Sequence, residues 1–382
     1  MVRRTAPAAT LVMASFLTPA LASCGLPESA ADRETRYNKV IEDETPQAQD
    51  VIDIAGAPYE VLRSDDGSTL VRYNATYVED DEGPAANAWR LYGPDGDVVA
   101  EHAEHMDVVE GEFEDPGPFY AMPDGFVFLP SVKDGFFLDV RGERQAVKSS
   151  DKPLTFGRGD VLLSSGGKDR LLRTSTHTVA PAAGVPKTRD LTFTDFDERG
   201  VAWGVRQPEG SEPYRVTRRE DGGPERSRDL PDRLLGEDIA AHGGTAAVPL
   251  EKPIGMDDTL FTGLFVTTDD GKNWRTLRNS DQLPLDEFKK GLSYIEVQVL
   301  DDGRVFIQGD DATPLIADSP ANRSFHKITE PAHLRSVFAR GNTLYGIADS
   351  DAPSYDHVDG EGLWRSRDGG RDWSRFPGED SG

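Results

Sequence analysis

The feature that most constrains this chain is a repeat of about fifty residues. The segments Leu264 to Trp274 and Leu363 to Trp373 each run from an apolar opening through a hydroxyl residue, an Asp and a Gly to a Trp. They begin 99 residues apart, and Leu315 to Phe325 lies midway, keeping the Leu-to-aromatic spacing but not the Asp and Gly. One further step of about fifty reaches Tyr214, and weaker anchors of the same kind follow at Leu171, Phe137 and Leu91. Around the anchors lie short β-prone runs separated by Asp-Gly turns. Tyr59 to Leu62 and Thr69 to Tyr73 flank Ser64 to Gly67, Phe126 to Leu129 follows Pro123 to Gly125, and Ile295 to Val299 and Arg304 to Ile307 flank Asp301 to Gly303. Asp-Gly between such runs marks a hairpin, because glycine takes the positive φ of a tight turn. Seven anchors over residues 58–382, each preceded by two short strands and followed by one, give roughly 46 residues per unit. That is the size of one four-stranded propeller blade. The expectation is an all-β, seven-bladed propeller of antiparallel blades, each built from consecutive residues, with the ring closing without strand exchange. The one helical segment of note is expected near Leu285 to Lys290.

The two strong copies resemble the Asp-box (BNR) motif, Ser/Thr-x-Asp-x-Gly-x-Thr-Trp. Thr267, Asp269, Gly271 and Trp274 hold its defining positions in one copy, and Ser366, Asp368, Gly370 and Trp373 in the other. Asn273 and Asp372 stand where the motif has a hydroxyl residue. The resemblance implies a loop between third and fourth strands, braced by side-chain hydrogen bonds to its own backbone and packed under the Trp. It implies structural carboxylates at the blade periphery, not catalytic acids. Asp-box propellers include sialidases, sortilin-type receptors and photosystem assembly factors, so the fold does not carry a function. A sialidase brings three arginines onto a substrate carboxylate and adds a Tyr nucleophile with its Glu and an acid/base Asp. The Phe-Arg-Ile-Pro segment of that family is absent. Arg63 lacks its flanking residues, and Arg72, Arg206, Arg335 and Arg340 are the arginines that could face inward.

The N-terminus reads as an address. Arg3 and Arg4 precede an apolar run holding Leu11, Val12, Met13, Phe16 and Leu17, broken by Pro7 and Pro19 and too short to span a bilayer. Leu21-Ala22-Ser23-Cys24 resembles a bacterial lipobox, and Cys24 is the only cysteine in 382 residues. The resemblance implies a diacylglyceryl thioether on Cys24, whose two acyl chains anchor stably at ~0.8 kcal/mol per buried methylene. The alternative is an ordinary signal peptide with a chance cysteine. Residues 1–23 therefore read as a lipoprotein signal peptide, residues 24–57 as the lipidated cysteine with an acidic flexible tether, and residues 58–382 as the propeller. The location expected is the extracytoplasmic face of a bacterial membrane. The 31 arginines against 11 lysines suggest a GC-rich genome, and a Gram-positive envelope is the setting expected.

Charge narrows the partners. With 42 basic and 68 acidic residues the net charge is −26, which argues against nucleic acid. A single cysteine excludes an internal disulfide or a cysteine-based zinc site. His102, Glu104 and His105 offer metal-ligating atoms, but residues three apart on a strand point to opposite faces. Asp195 to Gly200 resembles a calcium loop only loosely and fits a hairpin turn better, and Arg158-Gly159-Asp160 falls where a turn is wanted. No cofactor and no metal are expected. The expected function is binding of a carbohydrate, a peptide or an envelope protein at one mouth of the propeller. The alternatives are a sialidase-like glycoside hydrolase and an assembly or scaffold factor for an envelope complex. If Cys24 carries the anchor, Cys24→Ser shifts the protein from the membrane fraction to the medium in detergent phase partition; an unchanged membrane fraction contradicts the anchor.

Overall fold

The computed structural model describes residues 30–377, except 77–84, 107, 110–111, 114–117, 131–134, 158–159, 166–167, 184–190, 192, 208–211, 232–237, 255–258, 279–281, 285–294, 310–311, 330–333, 335 and 349–361. The signal segment, Cys24, the helical segment expected at Leu285 to Lys290, and Arg335 lie outside the described residues.

Seven sheets follow one another along the chain. Blade 1 pairs Glu60–Arg63, Thr69–Thr76, Ala85–Tyr92 and Val98–Met106 as an antiparallel meander. Blades 2 (119–146), 4 (193–229), 5 (240–277), 6 (295–327) and 7 (336–375) repeat that order. A two-stranded hairpin, Val108–Val109 with Glu112–Phe113, sits between blades 1 and 2. First strands of adjacent blades lie against one another, as in blades 1 and 2 and in blades 4, 5 and 6, so they line the axis. Strand direction alternates, which puts the first–second and third–fourth turns of a meander at the same end. Leu91, Phe137, Leu264, Leu315 and Leu363 all fall on third strands, and Tyr214 immediately precedes one.

Blade 3 departs from the plan. Val161–Ser165, Lys168–Arg173 and Thr178–Ala183 form a three-stranded meander with Leu171 on its middle strand. The outer edge is filled from upstream by Lys148–Ser149 and Leu154–Thr155, both parallel to Thr178–Ala183. This accounts for the short step of 34 residues between the Phe137 and Leu171 anchors.

Residues 30–55 correct the flexible tether. They form α1 (Ala30–Ile41) and α2 (Ala48–Ala55). Tyr37, Val40 and Ile41 on α1 and Ala48, Val51 and Ile54 on α2 are buried against Ala75, Ala86 and Ala88 of blade 1. The i, i+3, i+4 spacing of the α1 trio makes one apolar stripe. The second and third strands of blade 1 are eight residues long, and alanines on their far halves leave room for the helices. Among the described residues no helix is long and apolar enough to cross a membrane.

Apolar clusters fill the gaps between blades. Leu62, Leu70, Leu91, Phe119 and Phe126 join blades 1 and 2, and Leu264, Val266, Val305 and Leu315 join blades 5 and 6. At the junction of blades 3 and 4, Phe156 stacks on Phe196 at 6.4 Å and lies against Gly200. Val61, Val71, Tyr73 and Tyr92 of blade 1 pack on Tyr345, Ile347, Leu363 and Phe376 of blade 7, and the ring closes with no strand exchanged among the described residues.

The axial edge of each first strand has no neighbouring strand, and its N–H groups need other acceptors. Side chains from the preceding blade provide them. Ala241 N–H donates to Asp195 Oδ2 at 2.7 Å, Val297 N–H to Asp238 Oδ2 at 2.9 Å, and Ala339 N–H to Gln298 Oε1 at 2.7 Å. Arg340 Nε then donates to the Val61 carbonyl at 3.0 Å, joining blade 7 to blade 1. Burial pushes the Asp195 carboxyl up to about 6; its two backbone N–H bonds oppose the shift, and the charges of Asp238 and Asp197 add to it. Asp238 is raised by burial as well.

A carboxyl raised on folding holds its proton more tightly in the folded state. Its stabilising contribution is complete below the unfolded value near 4 and is lost as pH rises through about 6. Relative to Asp195→Asn, wild type should therefore lose up to ~3 kcal/mol of stability between pH 4 and pH 7 in denaturant titrations. A difference independent of pH would contradict the shift.

Candidate functional site

Both Asp-box-like segments form loops between third and fourth strands. In blade 5, Thr267 Oγ1 donates to Asp269 Oδ1 at 2.9 Å and accepts the Gly271 N–H at 3.1 Å. Asp269 Oδ1 also accepts the Asn273 N–H at 2.9 Å. In blade 7, Ser366 Oγ donates to Asp368 Oδ1 at 2.8 Å and accepts the Gly370 N–H, while Asp368 takes the N–H groups of Arg371 and Asp372. The seventh position thus bonds through its backbone, so replacing the usual hydroxyl residue leaves this bond intact. Bonds from Asn273 hold the Asp269 carboxyl below its ordinary range. Gly271 and Gly370 have φ of 72° and 80°, and Asn322 takes the same place in blade 6 with φ 48°. Trp274 and Trp373 are half-buried and pack against the preceding blade.

The blade 5 loop also forms one wall of a cleft. The cleft, about 280 Å³, lies between blades 4 and 5. Trp203, Arg218 and Arg226 stand directly opposite one another on the second, third and fourth strands of blade 4, and Val216 and Arg228 form the next row. Arg218, Arg226, Arg228 and Lys272 all line the cleft, and no carboxylate does. Arg218 is 6% exposed, with its guanidinium 5.5 Å from the centre of the buried Trp203 ring. It bonds Glu220 and lies 3.6 Å from Asp270, while its buried Nε has no hydrogen-bond partner. Arg226 and Arg228 lie on an exposed strand, and neither has an ion pair among the described residues.

An ionic tie sets the width of the cleft. Arg199, in the first turn of blade 4, donates to the fully buried Asp197 at 2.5 Å and to Asp270 of the blade 5 loop at 2.7 Å. These two carboxylates hold the Arg199 proton more firmly than usual. Asp270 is anchored in turn by its N–H bond to the Gly244 carbonyl. Asp195 to Gly200 is thus a hairpin turn, with Asp197 accepting the Arg199 and Val201 N–H groups.

The arginines expected to face inward do not form one site. Arg72 pairs with Glu60 at 2.5 Å, and Arg340 lies within the field of the same carboxylate. Tyr120 is also near Glu60, but burial and then that charge raise its phenol, which disfavours a nucleophile. Arg206 is on blade 4 and pairs with Glu225. His102 lies 3.7 Å from Glu104 and 5.7 Å from the Trp89 ring, and His105, three residues further along the same strand, falls on the opposite face. A smaller cleft of 80 Å³ between blades 1 and 2 holds His102 and Glu104. Its cations are occupied, with Arg144 over Trp89 and Phe136 and Arg72 over Phe119.

No family model matches the chain, and no curated protein matches it. The fold is that of a seven-bladed β-propeller. It is similar to the β-propeller domain of the Trilobed protease from Pyrococcus furiosus, with TM-score 0.50 and 11% identity over 85% of this chain and 96% of that one. Pyrococcus horikoshii acylaminoacyl peptidase aligns with TM-score 0.46 and 9% identity, covering 83% of this chain and 52% of the peptidase. The propeller thus spans about half of that enzyme. Kluyveromyces lactis Hsv2p aligns with TM-score 0.42 and 12% identity, covering 84% and 99%. At these identities the likeness is one of fold.

Asp269→Ala leaves the Asn273 N–H and the Thr267 hydroxyl without their acceptor, and should cost ~1–3 kcal/mol in thermal denaturation. Because Lys272 and Asn273 line the cleft, the same substitution should also disturb the blade 5 wall of the cleft, whereas Asp368→Ala should lower stability alone.

Proposed function

We propose that this protein is a lipid-anchored, extracytoplasmic binding protein whose propeller takes an envelope ligand in the cleft between blades 4 and 5. One observation carries the reading: four cationic side chains and no carboxylate line the cleft of a chain whose net charge is −26. In a protein this acidic, a cationic pocket attracts anions against the field of the rest of the surface, so its ligand is selected by local geometry. Ligand pockets favour concave sites with a few convergent polar groups over an apolar base, and Trp203 and Trp274 form that base. The lipobox-like Cys24 supports the location. The helix pair supports a close placement, since only five residues separate Cys24 from the first residue of α1.

The test is capture of partners from the native envelope by the intact chain. Wild type should retain an envelope component that the variant carrying Arg226→Ala and Arg228→Ala loses. Equal recovery by both proteins contradicts the cleft as the binding site.

A further inference from the structure

We infer that the blade 4–5 cleft recognises a phosphate ester carried on a single sugar- or polyol-sized unit. This rests on the reading of the cleft as the ligand site and adds the chemistry of the ligand. Three guanidinium groups and one ammonium surround one cavity. Arg226 and Arg228 are two residues apart on one strand, so their stems emerge about 7 Å apart on the same face. Arg218 faces Arg226 across the ladder, about 5 Å away. Lys272 approaches from the opposite wall, on the blade 5 loop. A carboxylate presents two oxygens in one plane and carries a single charge. A phosphate ester presents oxygens in several directions and carries up to two charges, and it can be gripped from both walls at once.

Three further observations support this assignment. Arg218 is already desolvated, braced by Trp203 beneath it and by Glu220 and Asp270 to one side. Its orientation therefore requires little ordering when a ligand arrives. The Arg199 tie between Asp197 and Asp270 holds the two walls at a set spacing. A volume of about 280 Å³ admits one small unit and excludes a folded partner domain. Polymer chains bearing the unit enter by a terminal or side residue, across the exposed strand Arg226–Asp229.

Glucose 6-phosphate is a suitable probe, with glucose and glucuronate as the neutral and carboxylate controls, titrated calorimetrically into the full chain. Glucose 6-phosphate should bind, glucose should not, and glucuronate should bind at least tenfold more weakly. The double variant Arg226→Ala/Arg228→Ala should weaken glucose 6-phosphate binding at least tenfold, and rising salt should weaken it in wild type. Both arginines are exposed, so the melting temperature of the variant should match wild type. Glucuronate binding as tightly as glucose 6-phosphate, or no glucose 6-phosphate binding, overturns the phosphate assignment. If the double variant still loses its envelope partner in either case, the cleft reading survives. Glucose 6-phosphate binding that the double variant leaves unchanged overturns the assignment to this cleft.

Discussion

A four-stranded blade has two apolar faces and cannot bury either alone, and the remaining architecture follows from that constraint. Each blade is stable only between two others, so the blades must form a ring, and its last gap must be filled like the rest. Here blade 7 meets blade 1 through Tyr345, Phe376, Tyr73 and Tyr92, with edge-on aromatic contacts such as Tyr92 to Phe376 at 5.1 Å. A ring closed by side-chain packing needs another restraint on blade orientation. The bonds from Asp195, Asp238 and Gln298 to the next first strand, with Arg340 to Val61, supply it along the axis. They also satisfy N–H groups that would otherwise be orphaned at the axial edge. Raised carboxyls at Asp195 and Asp238 are the cost of placing acids where amides need acceptors.

The same packing logic explains why the cleft opens between blades 4 and 5. The blade 7 loop fits tightly onto blade 6; a Cβ on Gly370 would come within 2.7 Å of Ile328, and Trp373 joins that cluster. Against blade 4, a Cβ on the corresponding Gly271 would meet Trp203 instead, at a looser 3.4 Å, and the outer strand of that blade carries Arg226 and Arg228. Trp203 remains in the core, but the fourth strand, Arg226 to Asp229, is exposed throughout. The apolar seam therefore stops at Trp203 and Trp274, and the space beyond is bordered by cations. The loop braced by Asp269 is structural in its own bonds, yet it carries Lys272 and Asn273 into the cleft. Structural and functional parts of one motif are separated by only a few residues.

Much of this was legible along the chain because the information is local. The Leu-to-Trp spacing marks a third strand and its loop, Asp-Gly marks a hairpin, and a period near fifty marks a blade; each depends on residues a few positions apart. Those signals are enough for seven blades and for the loops around Asp269 and Asp368. They failed where a segment depends on a distant surface. Residues 30–55 are acidic, and their apolar stripes are short, so nothing local distinguishes them from a solvated linker. They become a docked helix pair because Ala75, Ala86 and Ala88 leave a shallow seat on blade 1. The outer edge of blade 3 is likewise taken by upstream residues in parallel, a pairing that no hairpin signal encodes.

The candidate site belongs to the same class. Arg218, Arg226 and Arg228 lie in a run that reads as a charged hairpin on a solvated face, and Lys272 is a variable position in a structural loop. Their convergence arises from ladder register within blade 4 and from the contact between blades 4 and 5. The sequence by itself determined the repeat, the turns, the braced loops and hence the number of blades, because hydrogen bonding within a hairpin is satisfied among near neighbours. Tertiary structure alone decided which cations share a cavity, which buried acids accept bonds from the next blade, and where the helices rest. Those depend on the packing of one blade against another and on burial, which no short segment contains.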